Sequence, residues 1–170
     1  MQYAVAAING FLGDRRGIDI ADIVNPRALT ARMVYYTSCW GGPARGGSGP
    51  IAKKRFYKWC RRHVDGGYKI LMVGKSYGGH WCLDAIGDLG IGSMADAIVF
   101  DPSCTLRRAE DQTREIPGAG DITVVRQLGR RSGYRVYGAK DIILDAKHST
   151  IERTKEGRRI LDEWLTQRNL

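Results

Sequence analysis

The chain has 170 residues, 43% hydrophobic and 26% charged, enough apolar material for one compact core, whereas two independent cores would be crowded. That balance excludes a disordered chain, a coiled coil and a collagen-like repeat. Lys and Arg number 27 against 18 Asp and Glu, a net charge of +9, which favours anionic partners without choosing among nucleic acid, anionic lipid, an acidic polymer or an acidic small molecule.

Tyr3 to Ile8 is a short apolar run ended by Asn9-Gly10, the pattern of a buried strand. No basic leader and no apolar block of spanning length opens the sequence, so the expectation is a soluble, cytoplasmic protein. Asp19 to Leu29 has weak helical spacing interrupted by Pro26, and Met33 to Thr37 is strand-favouring through Val34, Tyr35 and Tyr36. Gly41 to Pro50, with five glycines and two prolines, reads as a flexible segment. Ile51 to Val64 reads as a helix with Phe56, Trp59 and Cys60 on its apolar side.

Tyr68 to Val73 carries the unbroken run Ile70-Leu71-Met72-Val73, which suits a strand covered on both faces. Tyr77 to Leu89 is helical, with Trp81, Ala85 and Leu89 four residues apart. Ala97 to Phe100 is a further buried strand, and Leu106 to Gly120 is polar, poorly periodic and mostly loop. Ile122 to Val125, Tyr134 to Tyr137 and Asp141 to Leu144 read as strands before a closing helix from about Thr150 to Gln167. No repeat or linker divides the chain. The alternation predicts one α/β domain over residues 1–170, a three-layer sandwich whose mostly parallel sheet has helices on both faces.

The four cysteines, Cys39, Cys60, Cys82 and Cys104, include no close pair, so a structural zinc site is not expected. Cys60 and Cys82 fall in helical patterns and read as small core residues.

Gly74-Lys75-Ser76-Tyr77-Gly78 follows an apolar strand and opens a helix, the G-x-S-x-G arrangement. Flanking glycines let neighbouring backbone pass close while the turn lifts a hydroxyl above the carboxyl edge of the sheet. A phosphate-binding P-loop would need glycine where Lys69 stands, and the intervening residues are an apolar strand. That reading fails.

A serine nucleophile needs a base, and the histidines are His63, His80 and His148. His63 ends a helix before a strand, at the opposite edge, and His80 packs beside or below the turn. His148 follows the last strand, at the edge where α/β sheets carry their sites. Asp101, directly after the Ala97–Phe100 strand and stiffened by Pro102, is the preferred orienting acid, with Asp145 its rival. Asp121 precedes a strand and lies at the wrong end. The backbone amides of Tyr77 and, from the turn Asn9-Gly10-Phe11-Leu12-Gly13, of Phe11 are the expected oxyanion donors.

Taken together, these residues resemble the α/β-hydrolase superfamily, in particular small lipase- or esterase-like serine hydrolases. Asn9-Gly10-Phe11 is similar to the family's His-Gly-Phe oxyanion turn, with Asn9 in place of the histidine. Phe100-Asp101-Pro102 is similar to the Asp-Pro step of lipases that carry the acid on the strand after the elbow. The family's first two antiparallel strands are missing, and Leu128 to Gly133 replaces the usual helix between the last strands. No cap is evident unless Cys104 to Gly120 serves, which implies an open, shallow site suited to large or surface-bound esters.

Lys53-Lys54-Arg55, Lys58 and Arg61-Arg62 interleave with aromatics, and the reading adopted is an amphipathic helix with solvated cations. The candidate substrate contacts are Leu12, Arg107 and Arg108, with Arg130-Arg131 also near the expected site. The expectation is a serine hydrolase of a carboxylic ester or thioester that uses Ser76, His148 and Asp101 and needs no metal or organic cofactor. Acyl transfer to another acceptor and a non-catalytic module binding nucleic acid are the alternatives.

Overall fold

The computed structural model describes residues 2–10, 24, 33–38, 49–103, 113–129 and 133–170. Six strands, β1 (Tyr3–Asn9), β2 (Met33–Ser38), β3 (Lys69–Lys75), β4 (Ala95–Phe100), β6 (Ile122–Gln127) and β8 (Lys140–Leu144), form a sheet in the order β2-β1-β3-β4-β6-β8. Among the described residues every strand pairing is parallel.

The apolar runs are unbroken because β1, β3 and β4 are buried on both faces. Side chains alternate across the sheet. Ala6, Ile8, Ile70, Met72, Ala97 and Val99 pack toward helices α1 (Gly49–Asp65) and α2 (Tyr77–Leu89), represented by Phe56, Cys60, Trp81 and Cys82. Val5, Ala7, Leu71, Val73, Ile98 and Phe100 pack toward α3 (Lys155–Thr166), which contributes Ile160, Leu161, Trp164 and Leu165. The result is the three-layer α/β arrangement expected. On α1, Ala52, Phe56 and Cys60 are buried while Lys54, Arg55, Arg61 and Arg62 are exposed, so these four basic residues face water, whereas Lys53 turns to Asp84.

Topology positions the site. The chain passes from β1 outward to β2 and then crosses to β3 on the other side of β1. At such a reversal the crevice opens beyond the carboxyl ends of the two central strands. Those ends are Asn9-Gly10, where β1 finishes, and Ser76 after β3.

Three segments depart from expectation. Only Arg135–Val136 (β7) of Tyr134 to Tyr137 is a strand, and it pairs with Thr113–Arg114 (β5) in a separate two-stranded sheet. Tyr134 is drawn into the core instead: its amide donates to Pro102 O at 3.0 Å and its hydroxyl meets His80 Nδ1 at 2.9 Å. The Leu106 to Gly120 stretch, expected to be mostly loop, therefore includes β5; residues 104–112 lie outside the described residues. The closing helix is broken, with a 3-10 turn at Ile151–Arg153 before α3. Extended Thr154 separates them and caps α3, its Oγ1 accepting from Gly157 N at 2.9 Å. The expected Asp19 to Leu29 helix lies outside the described residues except Val24, which is buried on the α3 face.

Candidate active site

Ser76 sits in the turn from β3 to α2 with φ 52° and ψ −124°, a left-handed backbone that non-glycine residues rarely hold. Its surroundings fix it there. The Ser76 amide donates to Phe100 O at 2.8 Å, and its carbonyl accepts from His80 N at 3.1 Å and Ser103 N at 3.2 Å. The nearby glycines admit the close backbone approach: a Cβ on Gly78 would stand 2.3 Å from Ile8 O, and one on Gly10 would stand 2.8 Å from Ser76 Cβ. Tyr77 begins α2, so its amide is among the helix donors that lack an intrahelical acceptor.

Asp101 follows β4 and is wholly buried, also with positive φ, 48°. Its amide donates to Val125 O at 2.6 Å. Oδ1 accepts from Gln127 N at 3.2 Å and Gly133 N at 2.5 Å, which leaves Oδ2 facing His148 Nδ1 in a short contact. The carboxylate is thereby oriented by backbone donors on one side and the imidazole on the other.

His148 lies on the loop after β8, with its backbone amide donating to Gln127 Oε1 at 2.9 Å. Its Nε2 stands 2.9 Å from Ser76 Oγ. A carboxylate at Nδ1 selects the tautomer with the proton there, so Nε2 is free to accept from the serine hydroxyl. The His148 side chain is 41% exposed while Asp101 is closed off from solvent, so the line runs from the interior to the surface.

The structure thus brings Ser76, His148 and Asp101 together and leaves the other candidates elsewhere. Asp145 is exposed. The Asp121 carboxylate takes an ion pair from Arg168. His63, buried at the end of α1, has Nδ1 2.8 Å from Trp59 O. His80 packs beside the turn, between the Tyr134 hydroxyl and Asp84 Oδ2 at 3.3 Å. Burial holds its pKa below the usual histidine range despite the opposing Asp84 carboxylate. Burial would raise the Asp84 carboxyl, but Lys53, His80 and Arg114 outweigh that and hold it below its ordinary value.

Phe11, Leu12, Arg107 and Arg108 lie outside the described residues, as do Arg130 and Arg131. Sequence reasoning missed Ser103, whose Oγ is 3.4 Å from Ser76 Oγ, and Gln127, which holds the His148 backbone. The signal for Ser103 was its place two residues after Asp101; nothing local marked Gln127. Among the described residues no group of three or more His, Cys, Asp or Glu is arranged to hold a metal. Among them, too, no helix is long and apolar enough to cross a membrane.

No family model and no curated protein matches the sequence. Solved structures match its fold. A provisionally assigned hydrolase of the α/β superfamily from Xanthomonas campestris pv. campestris shares 13% identity over 98% of this chain and 99% of that one, with a TM-score of 0.59. The NocB thioesterase domain from the nocardicin cluster shares 10% identity over 98% of this chain and 95% of that one, with a TM-score of 0.57. Over almost its whole length the chain therefore has the α/β-hydrolase fold.

Proposed function

We propose that the protein is a serine hydrolase that cleaves a carboxylic ester or thioester through an acyl-enzyme. The observation that carries this reading is the continuous line from buried Asp101 through His148 to Ser76, ending in a 2.9 Å contact at the hydroxyl. The fold it shares with a thioesterase domain supports the same class of substrate.

Ser76 Oγ attacks the substrate carbonyl carbon as His148 Nε2 takes its proton, and Asp101 stabilises the resulting imidazolium. The oxyanion is held by the Tyr77 amide and a second donor from the turn after β1, with the α2 N-terminus adding favourable potential. His148 then gives its proton to the leaving alcohol or thiol, and the carbonyl reforms as the acyl-serine. Water, deprotonated by the same imidazole, releases the acid and restores Ser76. Left-handed Ser76 backbone is part of the arrangement, because it keeps the hydroxyl clear of the helix it begins.

Turnover of a p-nitrophenyl ester by wild type and Ser76→Ala tests the proposal. The variant should fold normally and lose hydrolysis by several orders of magnitude. Unchanged turnover in it would reject the mechanism.

A further inference from the structure

Lys75 fills the variable position of the elbow, directly before Ser76. As the last residue of β3 it continues that strand's alternation. Val73 packs on the α3 face, and a Cβ on Gly74 would meet Gly79 and Cys82 of α2. Lys75 therefore turns back toward the α3 side. There its ammonium donates to Ser149 O at 2.9 Å and to Glu152 Oε1 at 2.5 Å. Ser149 immediately follows His148, and Glu152 lies in the 3-10 turn that closes the same loop.

The pair is shielded from water. Lys75 and Glu152 side chains are 13% and 3% exposed. Arg153 Nε also donates to Glu152 Oε1, at 3.1 Å, while Glu152 Oε2 is buried with no hydrogen-bond partner among the described residues. Burying such charges rarely adds net stability over apolar replacements. We infer that Lys75 is a positioning residue, tying the loop that carries His148 to the elbow that carries Ser76.

This inference rests on the hydrolase reading above, and the geometry gives it content. The His148 ring is 41% exposed, so packing leaves its outer side unsupported. Besides the Ser76 hydroxyl at Nε2, side chains from other elements hold it and its loop: Asp101 at Nδ1, Gln127 at the backbone amide, and Lys75 at the following carbonyl. The first two come from the residue after β4 and the last residue of β6. Lys75 alone among them is covalently joined to Ser76, so its contact makes elbow and loop move together. Glu152 supplies the second anchor of this strut and offsets a cation that would otherwise oppose formation of the imidazolium.

The experiment compares wild type, Lys75→Met, Lys75→Arg, and the double variant Lys75→Met with Glu152→Gln. Each is measured by thermal melting, by kcat and KM for a p-nitrophenyl ester, and by the downfield proton resonance of the His148 Nδ1–H, assigned with a His148→Gln control. Wild type is also mapped for fluorophosphonate labelling at Ser76. Lys75→Met should lower kcat about 10- to 100-fold with little change in KM and should broaden or remove the resonance. Lys75→Arg should recover most of both. The double variant, freed of the buried carboxylate that would then be left with Arg153 alone, should melt close to wild type and still have the low kcat, which separates tethering from folding. Wild-type kcat and an unchanged resonance in the folded double variant, with wild type labelled at Ser76, would overturn the inference and leave the hydrolase intact. Wild type that resists labelling at Ser76 would overturn the hydrolase reading, and the inference with it.

Discussion

Asp101→Asn changes one heavy atom yet should cripple the proposed hydrolysis, and the structure says by how much. Oδ1 accepts from two backbone amides, Gln127 N and Gly133 N. The asparagine oxygen must take that place, which turns its NH2 group toward His148 Nδ1. The imidazole then has to accept at Nδ1 and carry its proton on Nε2, where it cannot receive one from Ser76. Flipping the amide restores the useful tautomer but leaves two buried N–H donors unpaired, at about 1–3 kcal/mol each. The productive fraction is then roughly 1 in 30 to 1 in 2 × 10⁴, since ~1.4 kcal/mol is tenfold. Loss of the carboxylate charge beside the imidazolium adds to this. Ester hydrolysis at saturating substrate should fall by at least about 30-fold, with the melting temperature nearly unchanged because both backbone bonds survive. Asp145→Asn, at an exposed position, should retain wild-type kcat. A large loss confined to Asp145→Asn would refute the reasoning.

Two glycines of α2 make a matched pair. Gly78→Ala would put a Cβ 2.3 Å from Ile8 O and 2.5 Å from Asn9 O, so melting should drop by the equivalent of about 1–3 kcal/mol or more. Gly87→Ala has nothing within 4 Å and should gain up to about 1 kcal/mol; equal melting curves for the two variants would contradict the packing of α2 on β1. His80 supplies a pH test. Its folded pKa lies below the ordinary value, so the unfolded chain binds the proton first as pH falls through about 6.5, and stability declines from there toward the folded pKa. His80→Gln should flatten the melting-temperature profile between about pH 7.5 and pH 5.5; an equally steep profile in that variant would show that His80 is not responsible.

The fold was legible where one property dominates. Runs such as Ile70 to Val73 announce strands buried on both faces, and the order of strands and helices implies which loops share the carboxyl edge. That was enough to place residues 76, 101 and 148 on one rim. Less legible were contacts made by long side chains between distant segments. Lys75 reaches Glu152 across 77 positions of sequence, and Gln127 reads locally as the end of a strand rather than as the support of the His148 backbone. Tyr134 to Tyr137 misled because an aromatic, β-favouring stretch can equally send its first residue into a core. Tyr134 is 1% exposed and bound to His80 and Pro102, and Tyr137 already belongs to the next turn, which leaves two residues for the strand. Thr150 to Gln167 has helical spacing throughout, but Thr154 is a better cap than interior residue, and only glycine fits at 157, because a Cβ there would meet Ile151 O at 2.1 Å.

The most direct measurement is mass-spectrometric mapping of the protein after reaction with a fluorophosphonate. A single adduct on Ser76, formed quickly in wild type and suppressed in His148→Gln, is the predicted result. An adduct on a different residue, or intact Ser76 after prolonged exposure of the folded protein, would contradict a nucleophile at this turn.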